Sequence, residues 1–358
     1  MDGRVFAGVI ALLAVGSAAC SSPALEYLSR DYGKDEQAVQ TPPAMLTTKT
    51  PSPSLVRTEN VFADLQYPAL LAVDVDSLYW VEQGRENKIV TAKKSGADRH
   101  PVALAIDPPP VELAVEMDPN GLVYWADRDG AVFSVPKAGS PDAPERKLVL
   151  EKQAIGKAVS LTFDHDSIYA AIYDESGDYG SIVKVSKSGG AASTVVTGSY
   201  PKAVVTHDDR LFWFSVSEDS YDDGTAFALK PGAPEQFGQV EALKGVLARR
   251  FAVSGDAFFT ASDDTLARMP MVPDATPRTA KLEGMLVKGI AVDDTFVWVC
   301  DAKGRIVRQR KEWSASTPEV AVEGIGVPTS IVADADAVWF TAEGTTSDAP
   351  GSLVKVLR

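Results

Sequence analysis

Cysteine is almost missing from this chain: of 358 residues, only Cys20 and Cys300. That excludes a disulfide-stapled scaffold and any site built on paired cysteines. Cys300, close to Trp298, reads as a small buried apolar residue, with a reactive thiol as the alternative. Histidine is nearly as scarce, at His100, His165 and His207. No His-Glu-x-x-His, P-loop or Gly-x-Ser-x-Gly sequence occurs. Positive charge is short as well, with 35 Lys and Arg against 49 Asp and Glu and a net charge of −14. Phosphate binding needs clustered basic residues, so a nucleic-acid partner and a broad basic membrane patch are both excluded. The apolar stretch Val5 to Val15 is too short to cross a bilayer by itself. After residue 55 no long stretch keeps a helical period.

What the chain does have is a repeat. An apolar-aromatic-aromatic triplet, in places degraded, recurs seven times: Leu78-Tyr79-Trp80, Val123-Tyr124-Trp125, Ile168-Tyr169-Ala170, Leu211-Phe212-Trp213, Phe258-Phe259-Thr260, Phe296-Val297-Trp298 and Val338-Trp339-Phe340. The third positions are separated by 45, 45, 43, 47, 38 and 42 residues. A period in the low forties built of short strands predicts a β-propeller with one four-stranded antiparallel blade per repeat. The expected fold is therefore all-β, a seven-bladed ring of about 300 residues.

Each repeat has the same internal order. An apolar inner strand ends in an acidic turn, as at Asp74-Val75-Asp76, Asp164-His165-Asp166, Asp293-Asp294 and Asp334-Ala335-Asp336. An aromatic strand follows, then a third strand ending in Lys94-Ser95-Gly96, Lys187-Ser188-Gly189 or Lys230-Pro231-Gly232. Repeat five is the most degraded, with Pro270 and Pro273 at the end of its third strand. The C-terminal run Gly351 to Arg358 matches Gly180 to Lys187, but no fourth strand follows it. The missing strand is expected at Leu55 to Ala63, so that an N-terminal strand closes the last blade and removes an open edge.

The repeats resemble the YWTD, NHL and TolB-like group of propellers over roughly residues 55 to 358. Tyr124-Trp125-Ala126-Asp127 comes closest to the Tyr-Trp-Thr-Asp signature. That resemblance implies the fold and not one activity, since such propellers include receptors, enzymes and plain scaffolds. YWTD propellers usually have six blades, against seven repeats here.

Residues 1 to 19 read as an export signal: Arg4, the apolar segment, then Gly16-Ser17-Ala18-Ala19 before Cys20. Small residues leading into a cysteine resemble a bacterial lipobox. The resemblance implies cleavage before Cys20 and a diacylglycerol on its sulfur. Ser21 after the cysteine favours the outer over the inner membrane. An ordinary secretory signal with an incidental cysteine is the other reading. Residues 20 to 54, ending in a Thr/Pro/Ser-rich stretch, read as a flexible tether to the ring at 55 to 358.

Two candidate sites emerge. The loops after the second strands of blades three and four are long and acidic: Tyr173-Asp174-Glu175-Ser176-Gly177-Asp178-Tyr179 and Ser217-Glu218-Asp219-Ser220-Tyr221-Asp222-Asp223. Adjacent blades bring them to one face. Tyr173, Tyr179 and Tyr221 add flat amphipathic surface suited to recognition. Asp174, Asp178, Asp222 and Asp223 could coordinate calcium, without the spacing of an EF-hand; a hydrated loop is the plainer reading. His165 and His207, in successive acidic turns with Asp164, Asp166, Asp208 and Asp209, form a weaker transition-metal candidate. The leading functional expectation is a monomeric, membrane-tethered scaffold binding a protein or carbohydrate. The alternative is an extracytoplasmic hydrolase or lyase with a divalent ion on the ring axis, its site assembled from distant loops. A third reading is a structural subunit of an envelope complex.

Overall fold

A computed structural model describes residues 56–139, 146–153, 156–173, 180–197, 200–208, 210–216, 224–229, 234–240, 251–262, 264–272, 276–313, 317–344 and 349–357. Seven four-stranded antiparallel sheets are present. Blade one runs from its inner strand Pro68–Val73 through Ser77–Glu82 and Asn87–Lys93 to the outer strand His100–Ile106. The inner strands of blades two to seven are Pro110–Val115, Lys157–Phe163, Tyr200–His207, Phe251–Ser254, Val287–Val292 and Val327–Ala333. Each inner strand touches those of the blades before and after it, and that of blade seven returns to blade one. The chain thus closes a seven-bladed propeller.

The second strands explain why the ring holds. In a strand, successive side chains point to opposite faces, and here both faces are covered by neighbouring blades. Tyr79 and Val81 pack toward blade two with Val123, Trp125 and Leu113. Leu78 and Trp80 pack the other way, toward Trp339 and Leu353 of blade seven. The same division recurs at every seam, giving seven apolar clusters for seven interfaces. Trp80, Trp125, Trp213, Trp298 and Trp339 are all fully buried, and the solvent cost of their exposed area drives the stacking. Cys300 is wholly buried in the blade six to seven cluster, as a small apolar residue should be.

The last blade is composite. Arg57–Leu65 pairs antiparallel with Gly351–Leu357, from Arg57 opposite Leu357 to Leu65 opposite Gly351. The closing strand thus lies two residues later than the sequence pattern suggested. Leu65 is 1% exposed and seals the blade seven to one cluster. Arg99 of blade one ties the same strand down. It donates to Asp64 Oδ1 at 2.9 Å and to the buried Glu82 Oε1 at 2.9 Å, and lies over the rings of Phe62 and Trp80.

One register differs from expectation. In blade six the residue opposite Ala291 is Trp298, as Tyr79 is opposite Ala72 in blade one. Trp298 therefore occupies the tyrosine position, and the sixth triplet is Val297-Trp298-Val299. The two-residue turn after Asp293 sets this, because the continuous apolar run Phe296 to Val299 fits either register. The blade-two turn before blade three shows how closely loops pack. Gly130 has φ of +88°, and a Cβ there would meet Lys157 Cα at 2.7 Å.

Candidate functional site

Strand direction sorts the loops onto two faces. Turns between inner and second strands share one face with the turns between third and outer strands. The loops after second strands, with the connections between blades, share the other. Tyr173 pairs with Gly180 in blade three and Val216 with Gly224 in blade four, so the two acidic hairpins rise from neighbouring blades on this second face. Of the expected ligand-binding residues, Tyr173 is described. The Nζ of Lys202, on the inner strand of blade four, sits 3.3 Å from its ring centroid, a cation–π contact across the seam. Asp174, Glu175, Asp178, Tyr179, Glu218, Asp219, Tyr221, Asp222 and Asp223 lie outside the described residues, as do Cys20 and the tether.

The histidine candidates are placed on neighbouring turns of the first face but do not converge. His165 Nδ1 meets Asp166 Oδ1 at 2.7 Å in the open, and His207 Nε2 lies 3.5 Å from Asp208 Oδ2. Among the described residues no group of three or more His, Cys, Asp or Glu side chains could hold a metal ion.

The same face carries a device that the sequence reading passed over. Asp74 ends the first inner strand. Its Oδ1 accepts the backbone N–H of Asp76 at 2.9 Å and of Ser77 at 2.7 Å, fixing the turn. Its Oδ2 accepts the Tyr79 hydroxyl at 2.9 Å and the Lys137 ammonium at 2.7 Å. Lys137 comes from the end of the third strand of blade two, so this is a clamp across a seam. Lys94 of blade one meets Asp334 of blade seven at 2.9 Å, and Lys187 of blade three meets Glu116 of blade two at 2.6 Å. Lys311 of blade six donates to Ser254 Oγ of blade five at 3.0 Å. The partner aromatic recurs too: Tyr169 hydroxyl to Asp164, Trp298 Nε1 to Asp293 and Trp339 Nε1 to Asp334, each five residues after its carboxylate. The signal was visible in the acidic turns and in the Lys-x-Gly strand ends. What was missing was that they face each other from adjacent blades.

The electrostatics follow from these contacts. Burial alone would raise the Asp74 carboxyl; Lys137, the Ser77 and Asp76 amides and Tyr79 outweigh it and hold it below the ordinary range. Burial opposes and Lys187 with the Leu122 amide again prevails at Glu116, as do Lys94 and two amides at Asp334. The phenols of Tyr79 and Tyr124 are pushed up by burial and by the carboxylates they donate to. On the other face, burial raises the Asp127 carboxyl, against the Ala131 amide that it accepts. A cleft of about 180 Å³ opens beside the Asp74–Lys137 clamp, lined by Asp76, Thr91, Asp98, His100 and Pro119 as well. Its central charges are already paired, which makes its floor a joint between blades.

No family model and no curated protein matches this chain. Solved structures do. Raptor from Chaetomium thermophilum superposes with a TM-score of 0.61 at 11% identity, over 85% of this chain and 30% of that one. BamB from Moraxella catarrhalis gives 0.52 at 10% identity, over 81% of this chain and 86% of that one. A chain of the nidogen/laminin complex gives 0.45 at 16% identity, over 57% and 76%. The chain is a β-propeller. At these identities the likenesses to Raptor and BamB speak to the propeller fold alone.

Proposed function

We propose that this propeller is an extracytoplasmic binding scaffold, held to the bacterial envelope by a lipid on Cys20, and that its acidic loops at 174–179 and 217–223 engage a basic protein surface. The observation that carries the reading is the placement of the two hairpin ends, Tyr173 with Gly180 and Val216 with Gly224, on adjacent blades and one face. On this reading Asp174, Glu175, Asp178, Glu218, Asp219, Asp222 and Asp223 are the partner-facing carboxylates of the two loops. Like charges gathered in this way repel one another until a cation or a basic partner screens them. A rigid ring presenting such loops loses little conformational freedom on binding. The tether from Cys20 to Ser54 would let the ring reach a partner away from the membrane surface.

The test is cross-linking in intact envelopes, comparing the wild-type chain with a variant whose seven loop carboxylates are changed to lysine. The expected result is loss of a protein adduct that forms with the wild type and weakens as salt rises. Charge reversal of Asp76, Asp166 and Asp336, on the opposite face, should leave that adduct intact. An adduct pattern unchanged by the loop variant refutes the site. Retention of a glycan in place of a protein would shift the ligand class to carbohydrate. Calorimetric heat on calcium addition, lost in the loop variant, would show that an ion screens the patch. Cys20→Ser should move the protein out of the membrane fraction; an unchanged distribution refutes the anchor.

A further inference from the structure

We propose that the cleft beside the Asp74–Lys137 clamp is a docking site for a basic segment of a partner protein, and that it takes one arginine side chain between blades one and two. The site lies on the face opposite the acidic hairpins and stands independently of them. Its floor is the clamp itself, with the Tyr79 hydroxyl on Asp74. Its walls are the turn from Asp74 to Ser77, the turn after the third strand of blade one, and Pro119 and Ala138 of blade two. At about 180 Å³ it is smaller than a pocket for a drug-sized molecule and matches a single long side chain.

Charge selects the side chain. On the floor Asp74 and Lys137 neutralise each other at 2.7 Å. On the walls the exposed carboxylates of Asp76 and Asp98 outnumber one exposed cation, Lys93. A guanidinium has forked donors for carboxylates, and its methylene stem can lie along Pro119 and Ala138. Apolar contacts flank the mouth. Val75 and Met117 are 62% and 61% exposed at the tips of their turns. Single exposed apolar residues are ordinary, but these two are gathered at one point. Lys137 Nζ donates to Asp74 Oδ2 and to Asp118 O, each at 2.7 Å, and those acceptors belong to the neighbours of Val75 and Met117. Lys94 Nζ fixes the Val75 turn from the other side, at 2.7 Å from Val75 O and 2.9 Å from Asp334 Oδ2. Two apolar tips held rigid beside an acidic cleft are ordered before any partner arrives, and an arginine set among apolar contacts is a common anchor of protein interfaces.

The test selects a displayed library of random heptapeptides on the full chain. Enriched peptides should carry an arginine next to apolar residues. A synthetic copy of the most enriched one should shift the methyl signal of Met117 in a methionine-methyl NMR titration. Its affinity, measured by calorimetry, should fall at least about 10-fold when citrulline replaces the arginine, and equally with Asp76→Lys/Asp98→Lys. Asp76→Asn/Asp98→Asn, the milder change, should weaken it in the same sense with the melting midpoint unaltered. Val75→Ser/Met117→Ser should also weaken it, while charge reversal of the acidic loops on the other face should not. Enrichment without arginine, a Met117 signal that stays in place, a citrulline peptide bound as tightly, or binding that disappears with the acidic loops instead each overturns the proposal.

Discussion

Replacing Lys137 by methionine removes the charge from the most buried clamp and keeps most of the side-chain volume. In the wild type the two partners are 4% and 6% exposed and 2.7 Å apart. The Lys137 ammonium also donates to Asp118 O at 2.7 Å. In the variant, Asp74 keeps the Tyr79 hydroxyl and two backbone amides but loses its counter-ion while still buried. Breaking one side of a buried pair costs about 3–5 kcal/mol, because an uncompensated charge remains. For a ring of about 300 residues that becomes a fall of about 5–8 °C in melting temperature. Asp74→Asn should cost a similar amount by stranding the ammonium, whereas the double variant should recover a large part of the loss. Melting followed by tryptophan fluorescence reads this out, since Trp80 and Trp339 lie in the neighbouring cluster. The exposed Lys93→Met serves as a control and should shift the midpoint by under about 1 °C. If Lys137→Met melts with the wild type, or if the double variant is as unstable as the sum of the singles, the clamp does not hold the seam.

Removing residues 1–65 should unfold the ring or lower its melting midpoint sharply, because it strips the outer strand of blade seven and uncovers Leu65's partners Trp80 and Trp339; removing 21–45 should leave the midpoint unchanged, and equal melting of the two truncations would refute closure by this strand. Acid should loosen the clamped face. The carboxyls of Asp74, Glu116 and Asp334 sit below their unfolded values, so their stabilisation is fully present above about pH 4 and is lost as pH falls through the folded values. A melting midpoint that falls below pH 4 in the wild type, and less so in the Asp74→Asn/Lys137→Met variant, checks this.

Blade count, strand alternation and ring closure were legible in the residues because they are local or periodic properties. The division of Leu78 to Val81 between two seams follows from the pleat, and the fourth strand that the last repeat lacks is supplied by Arg57–Leu65. Register was less legible. Phe296 to Val299 offers four apolar residues in a row, so only the turn at Asp293 and its bond to Trp298 Nε1 decide which one takes the tyrosine position. The strand ends Tyr173 and Val216 fall on neighbouring blades at one face, as the repeat implied, while the acidic residues that follow them lie outside the described residues. The clamps were beyond reach. Lys137 and Asp74 are 63 residues apart, and nothing in the local chemistry of either turn names the other. Their meeting depends on how one blade stacks on the next, and that stacking is set by interlocking side chains from both blades. The sequence alone therefore determines a seven-bladed ring with its acidic turns and lysine-bearing strand ends, while the tertiary structure decides which lysine meets which carboxylate between blades seven and one, one and two, and two and three.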